Sequence, residues 1–372
     1  MIERQRRLRE IDTRAVLSRQ GNNLSHSVIQ GLDLSQLDFS EVECDNTVFL
    51  GCTFPEGFNA YELIEKGALI FPKLPHLPYK PYRGLLYSRQ ELMQGWSPDE
   101  DNSKDLEIYN HFEKYGREGV SVMESLAMRL HDHAIDDALN DLLEGRTERD
   151  GKKKVIGIMG GHSTPRTDPY YAKVALMARR LTKEGYYIAT GGGPGMMEAG
   201  NLGAYFAHYE EQDLLDAIDR LKQAPTYKDE GYSRLAVAVV NDYPHGTSSL
   251  AIPTWFYGHE PSNLFSLQIA KYFSNSLRED GLLAVSLYGV IFSPGSAGTT
   301  QEVFMDATQN HYRTFDFVSP MVFLGKKHFS DDTLIFDCLK RQATGKKYED
   351  YMLLTDELDE VCTFIKEHPP VL

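Results

Sequence analysis

The chain has 372 residues, 41% of them hydrophobic and 25% charged, with a formal net charge of −15. That is ordinary globular composition, long enough for a main domain plus a substantial further part. The acidic balance disfavours wrapping of DNA or RNA but leaves room for a small phosphorylated ligand, because a local ring of backbone N–H groups binds an anion whatever the global charge.

The four cysteines, Cys44, Cys52, Cys338 and Cys362, form no C-x-x-C pair. They suit a reducing compartment better than a disulfide framework or a zinc site. The N-terminus carries no apolar secretory core, and no apolar run approaches ~18 residues, so a cytoplasmic protein with no membrane partner is expected. Residues 3–20, with six arginines between Arg4 and Arg19, read as a short charged helix ending at Gly21.

Residues 32–54 repeat with a period of five. Leu34, Phe39, Cys44, Phe49 and Phe54 hold one phase, and Leu32, Leu37, Val42, Thr47 and Cys52 a second, two positions earlier. Neither helix nor flat strand has that period. The stretch resembles the pentapeptide-repeat family, which implies a square β-helix with both phases pointing inward; two irregular strands are the competing reading. Alone it is too short to bury a core. Residues 55–100, rich in Pro, Tyr and Gly, read as a connector, and residues 103–145 as helical. His131 and His133 in HDHAIDD stand two apart, on divergent helix faces, so a solvated or capping role outweighs a metal site.

From Lys152 apolar runs alternate with helical patterns. Strands are expected at 155–160, 186–190, 235–240, 250–257, within 282–293 and at 320–324. Helices are expected at 169–184, 194–206, 209–222, 261–278 and 299–311. This is the pattern of an α/β fold: a doubly wound, mostly parallel, Rossmann-like sheet over 151–372, preceded by an N-terminal extension, 1–150.

Three loops carry binding chemistry. Gly160, Gly161 and Ser163 follow the first strand. Gly191, Gly192, Gly193, Pro194 and Gly195 lead to Met197 on a helix. Pro294, Gly295, Ser296, Gly298 and Thr299 open another. Glycine lets the backbone approach a ligand, and the following helix N-terminus points free N–H groups at an anion. Neither glycine-rich turn is followed by Gly-Lys-Ser/Thr, and neither spells G-x-G-x-x-G with an acid beyond it, so a Walker loop and NAD are both disfavoured. Thr299-x-x-Glu302 reads either as a capping box or as a carboxylate aimed at ligand from the first helical turn.

GGGPGMMEAGNLGA and PGSAGTTQE together resemble the LONELY GUY family of Rossmann-like proteins, whose signatures are G-G-G-x-x-G-x-M and P-G-G-x-G-T-x-x-E. The resemblance covers roughly residues 150–325. It implies cleavage of nucleoside 5′-monophosphates to free base and ribose 5-phosphate, in a bacterial branch with longer N-terminal extensions that acts on ordinary purine and pyrimidine nucleotides. On matching positions, Pro294, Gly295, Gly298 and Thr299 fall on the phosphate loop, Gly191, Gly192, Gly193 and Met197 on the other loop, and Glu302 on the catalytic glutamate. A homo-oligomer, at least a dimer, is also implied.

Two departures stand out. Ser296 replaces the second glycine of the phosphate loop. The family's arginine, in M-H-E-R-K, is missing, since His259-Glu260 runs into Pro261-Ser262; Arg278, Arg166 and Arg313 are the substitutes open to it. Glu260 and Asn263 are further candidates for base or ribose. Asp306, one turn beyond Glu302, either orients it or is an exposed helix residue, and the latter is the expectation. No cofactor and no metal are expected, and no lysine lies in either loop for a pyridoxal Schiff base. A nucleosidase is the first expectation, a non-catalytic nucleotide sensor the second, and an interaction scaffold the third.

Overall fold

A computed structural model describes residues 9–11, 17–144 and 151–371. The chain divides into two compact units, residues 1–85 with 115–139, and residues 86–114 with 140–372. Residues 86–114 thus lie with the second unit, ahead of the boundary expected near residue 150. Most of the expected helix at 3–20 falls outside the described residues, and within it Arg9–Ile11 is a strand.

The first unit is a coil of four parallel strands in the order β1 (Arg9–Ile11), β2 (Ser27–Gln30), β3 (Val48–Leu50) and β4 (Leu69–Phe71). Val28 pairs with Val48, and Val48 with Leu69, so each circuit is made of about four five-residue sides. Both phases of the repeat face inward: Leu34, Cys44, Thr47 and Phe49 are buried, while Leu37 and Phe54 pack on that core partly covered. The coil also begins before the repeat was legible, with Leu24 and Ile29 in the same core.

Residues 55–100 are more than a connector. α1 (Tyr61–Glu65) and β4 close the coil, and α2 (Arg89–Leu92), capped by Ser88, belongs to the second unit. The helical region is two helices, α3 (Lys104–Tyr115) and α4 (Val122–Glu144). His131 is not solvated. It is buried beside Asp132, Nδ1 to Oδ1 3.0 Å, with Tyr79 edge-on to its ring.

The second unit holds seven parallel strands in the order β11-β10-β9-β5-β6-β7-β8. In chain order these are β5 (Val155–Met159), β6 (Tyr187–Thr190), β7 (Leu250–Ala251), β8 (Gln268–Ile269), β9 (Val290–Phe292), β10 (Met321–Leu324) and β11 (Met352–Thr355). The fold is the expected α/β class, a parallel Rossmann-like sheet with crossover helices. β5 and β6 are buried at every residue, as strands covered on both faces must be.

Two helices follow the first strands. α5 (Pro169–Lys183) starts at Asp168, whose carboxylate accepts from Tyr170 N at 2.8 Å, with proline at its first position. α6 (Met196–Tyr205) is buried on nearly every side. It lies so close to α5 that a Cβ on Gly203 would collide with the Ala175 carbonyl. The N-terminus of α6 follows the carboxyl end of β6, inside the sheet.

Several expectations fail here. Residues 235–240 are not a strand but part of α8 (Tyr232–Asp242), after α7 (Glu211–Leu221); Tyr232, Ala236 and Val239 recur at helical spacing and are the buried ones. Residues 261–278 are not one helix. Pro261–Leu267 is loop, β8 follows, and α9 (Asn275–Val285) starts only after Ser274. Leu282–Val285 ends α9, so only Val290–Phe292 of 282–293 is strand. The strand at 320–324 is not the last, because β11 pairs outside it. α10 (Ala297–Tyr312), α11 (Ile335–Ala343) and α12 (Leu358–Glu367) complete the layers. Among the described residues no helix is long and apolar enough to cross a membrane.

Candidate functional site

β5 and β9 are neighbours, but the chain leaves them in opposite directions, through α5 to β6 and through α10 to β10. At such a switch point the loops after the two strands part and leave a crevice at the carboxyl ends of the sheet. A cavity of about 610 Å³ lies there, within the second unit.

The three glycine loops meet at its floor. Gly161 N donates to Pro294 O at 3.0 Å, and Met196 N to Gly161 O at 3.2 Å. A Cβ on Gly160 would strike Ser293 Oγ, and Gly195, at φ +68°, sits against the Gly161 carbonyl. Gly160, Gly161, Gly191, Gly192, Met197, Gly298 and Thr299 line the cavity. Gly193, Gly195, Pro294 and Gly295 stand behind that lining and shape it. Ser163 is exposed outside the lining, so it is not brought to the site.

α10 begins one turn earlier than the capping-box reading requires. Its N-cap is Ser296, which makes no side-chain cap, and the first intrahelical bond runs from Thr300 N to Ser296 O at 2.9 Å. The N–H groups of Ala297, Gly298 and Thr299 therefore precede the helical ladder and form the positive end of the helix dipole. Nothing lies within 4 Å of where a Gly298 Cβ would stand. Glu302 falls in the second turn, too far along to close a capping box, and its carboxylate lines the cavity.

Of the three arginines, Arg278 is in the cavity. It projects from α9 with Nε donating to Ile252 O at 2.9 Å and Nη2 to Gly191 O at 3.4 Å, and its Nη1 stands 3.4 Å from Glu302 Oε1. Its guanidinium occupies the space that a Gly191 Cβ would need, which is the physical reason for glycine there. Burial raises the Glu302 pKa, Arg278 partly offsets that, and nearby Glu279 adds to it. Arg166 is committed elsewhere: buried, with Nε to Glu198 Oε2 at 2.8 Å and the guanidinium 3.5 Å above the Tyr232 ring. Arg313 caps α10 at φ +51° and is exposed.

Glu260 and Asn263 both line the cavity. Glu260 stands 3.8 Å from His162 Nδ1 and over Gly193, whose Cβ would be 2.7 Å from its Oε2. The Asn263 amide donates to Asn201 Oδ1 at 2.9 Å, and its oxygen accepts from Phe265 N at 3.1 Å, so the side chain is locked. Asp306 is neither exposed nor bonded to Glu302. It is buried, its Oδ2 has no partner, and burial pushes its pKa up to about 8.

Sequence reasoning missed one wall. Asp105, on α3, is buried, and its carboxylate accepts from Lys271 Nζ at 2.7 and 2.9 Å, Trp255 Nε1 at 2.8 Å and Ser262 Oγ at 2.7 Å. Burial alone would raise its pKa, but the Lys271 charge and the hydrogen bonds from Lys271 and Ser262 hold it below the usual carboxylate value. Lys271, Ser262 and His259 line the cavity. Burial lowers the His259 pKa. The only available signal was a lysine inside a stretch read as helix. Among the described residues no group of three His, Cys, Asp or Glu is placed to hold a metal ion.

No family model and no curated protein matches the chain. Among solved structures, it is similar to a molybdenum cofactor binding protein from the phototrophic bacterium Rippkaea orientalis, at 17% identity and a TM-score of 0.37, over 58% of this chain and 97% of that one. A Moco carrier protein from Chlamydomonas reinhardtii is similar at 14% identity and a TM-score of 0.38, over 58% and 97%.

Proposed function

We propose that the protein hydrolyses the N-glycosidic bond of nucleoside 5′-monophosphates, releasing free base and ribose 5-phosphate. The observation that carries this reading is Glu302 beside Arg278 in a cavity whose floor is the uncapped N-terminus of α10. The N–H groups of Ala297, Gly298 and Thr299 take the 5′-phosphate, with the helix dipole behind them. Glu302 then lies about one turn along the helix, where the ribose follows the phosphate.

Cleavage builds oxocarbenium character on the ribose, which a carboxylate stabilises. The C1′–N bond breaks with its electron pair going to the base. A water oxygen bonds to C1′, Glu302 takes the proton that this water gives up, and the departing base takes a proton from solvent. Burial makes Glu302 a stronger base than a solvated carboxylate, and Arg278, 3.4 Å away, partly offsets that rise and orients the carboxylate. Arg278 supports the reading by supplying a guanidinium that the chain lacks after His259-Glu260.

The test is incubation with AMP, GMP, CMP, UMP and IMP, followed by chromatography for free base. Release is expected, and Glu302→Gln lowers its rate by roughly a hundredfold or more, with nucleotide binding retained. Near wild-type turnover in that variant removes Glu302 from the chemistry. Binding of nucleotide with no release in the wild type makes the protein a sensor.

A further inference from the structure

The cavity wall opposite the phosphate floor is built on a buried ion pair. Lys271 extends from the end of β8, at the sheet edge, and Asp105 reaches it from α3. A lysine ammonium has three N–H donors and no acceptor. Two engage the Asp105 oxygens, at 2.7 and 2.9 Å, and the ammonium stands 5.2 Å from the centre of the Trp255 ring, so one N–H has no oxygen partner on the side where Lys271 lines the cavity.

Of its neighbours on that wall, His259 keeps a buried Nε2 without a partner, while Ser262 and Asn263 are committed. The Ser262 hydroxyl proton goes to Asp105, and the Asn263 amide is bonded at both ends. Glu260 faces His162 and Gly193 instead. The strand order places β6 and β7 between the phosphate floor at β5 and β9 and this edge at β8. Thr299, Glu302 and Lys271 line this one cavity, so a nucleotide with its phosphate on α10 and its ribose at Glu302 can direct its base toward Lys271.

We infer that Lys271, positioned by Asp105, selects nucleotides whose base presents an oxo group rather than an amino group: uracil and 6-oxopurines over cytosine and adenine. An oxo group accepts the remaining Lys271 proton. An exocyclic amine puts two donors face to face and leaves both unpaired, the mismatch that discriminates most strongly in a dry site. This inference rests on the proposed nucleotide site but not on turnover.

The experiment compares UMP with CMP, and IMP with AMP, by calorimetric binding and by kcat/KM for base release. The wild type is expected to favour the oxo partner of each pair by roughly tenfold or more. Lys271→Met alone strands a buried carboxylate, so the informative protein is Asp105→Asn/Lys271→Met, which keeps the pair uncharged. It should bring both ratios close to one, with ribose 5-phosphate binding unchanged. Equal or reversed preference in the wild type, or a preference that persists in the double variant, overturns the inference. Oxo-selective binding without base release leaves it standing and sinks only the hydrolase; failure of all four nucleotides to bind sinks both.

Discussion

Both units are parallel sheets that rely on glycine, for different reasons. In the coil, Gly31 and Gly51 turn corners at φ +65° and +62°, as His26 and Asn46 do one side earlier. A Cβ on Gly31 would meet open space, so what matters there is the backbone angle. In the second unit Gly160, Gly191 and Gly203 have ordinary angles, and what matters is room, for Ser293, Arg278 and the Ala175 carbonyl. Buried polar groups differ in parallel. In the coil Thr47 Oγ1 donates to Leu24 O at 2.8 Å, and Cys52 Sγ to Ile29 O at 3.3 Å. On α10, Asp306 is held with an unpartnered oxygen. The coil uses its buried polar groups to close its own turns, and the second unit leaves room around Ser293, Arg278 and the Ala175 carbonyl and buries one carboxylate oxygen unpaired.

That contrast can be broken most forcefully at Asp306. Its folded pKa, about 8, lies above the ordinary 3.8, so the neutral acid suits the fold. The stability it allows is complete below about pH 4 and is lost as pH rises to about 8. Asp306→Asn lacks that slope and should gain a few kcal/mol over the wild type across this window. Urea unfolding at pH 4.5, 6 and 8 measures it, and parallel curves at all three would show that Asp306 is solvated.

Gly191→Ala comes next. Its methyl displaces the Arg278 guanidinium, and kcat/KM for base release should fall roughly a hundredfold while the melting temperature barely moves. Unchanged kinetics would mean that Arg278 has no part in the site. Gly31→Ala is the smallest and opposite case: about 1 kcal/mol of stability lost to the left-handed angle, with catalysis untouched. A loss of activity there, with no loss of stability, would abolish the distinction between glycines of angle and glycines of space.

Much of the site could be read from local chemistry. The glycine turns, the strands before them, the helix after each and Glu302 are short-range patterns, and so is the five-residue repeat, whose inward positions depend on a corner every five residues. Residues 235–240 misled because a run of Leu, Ala and Val suits a buried strand and a helix alike, and only Tyr232, Ala236 and Val239 against the core decide for α8. Residues 261–278 misled because two residues of β8 are strand only through pairing with Leu250 and Ala251.

The sequence by itself determined the α/β class, the order of the loops and the carboxylate on α10, because periodicity and turn geometry act over a few residues. Tertiary structure alone decided which arginine faces Glu302, that Asp306 is buried, and that Asp105 holds Lys271. Those outcomes depend on desolvation and charge between groups far apart in the chain, which no local pattern encodes.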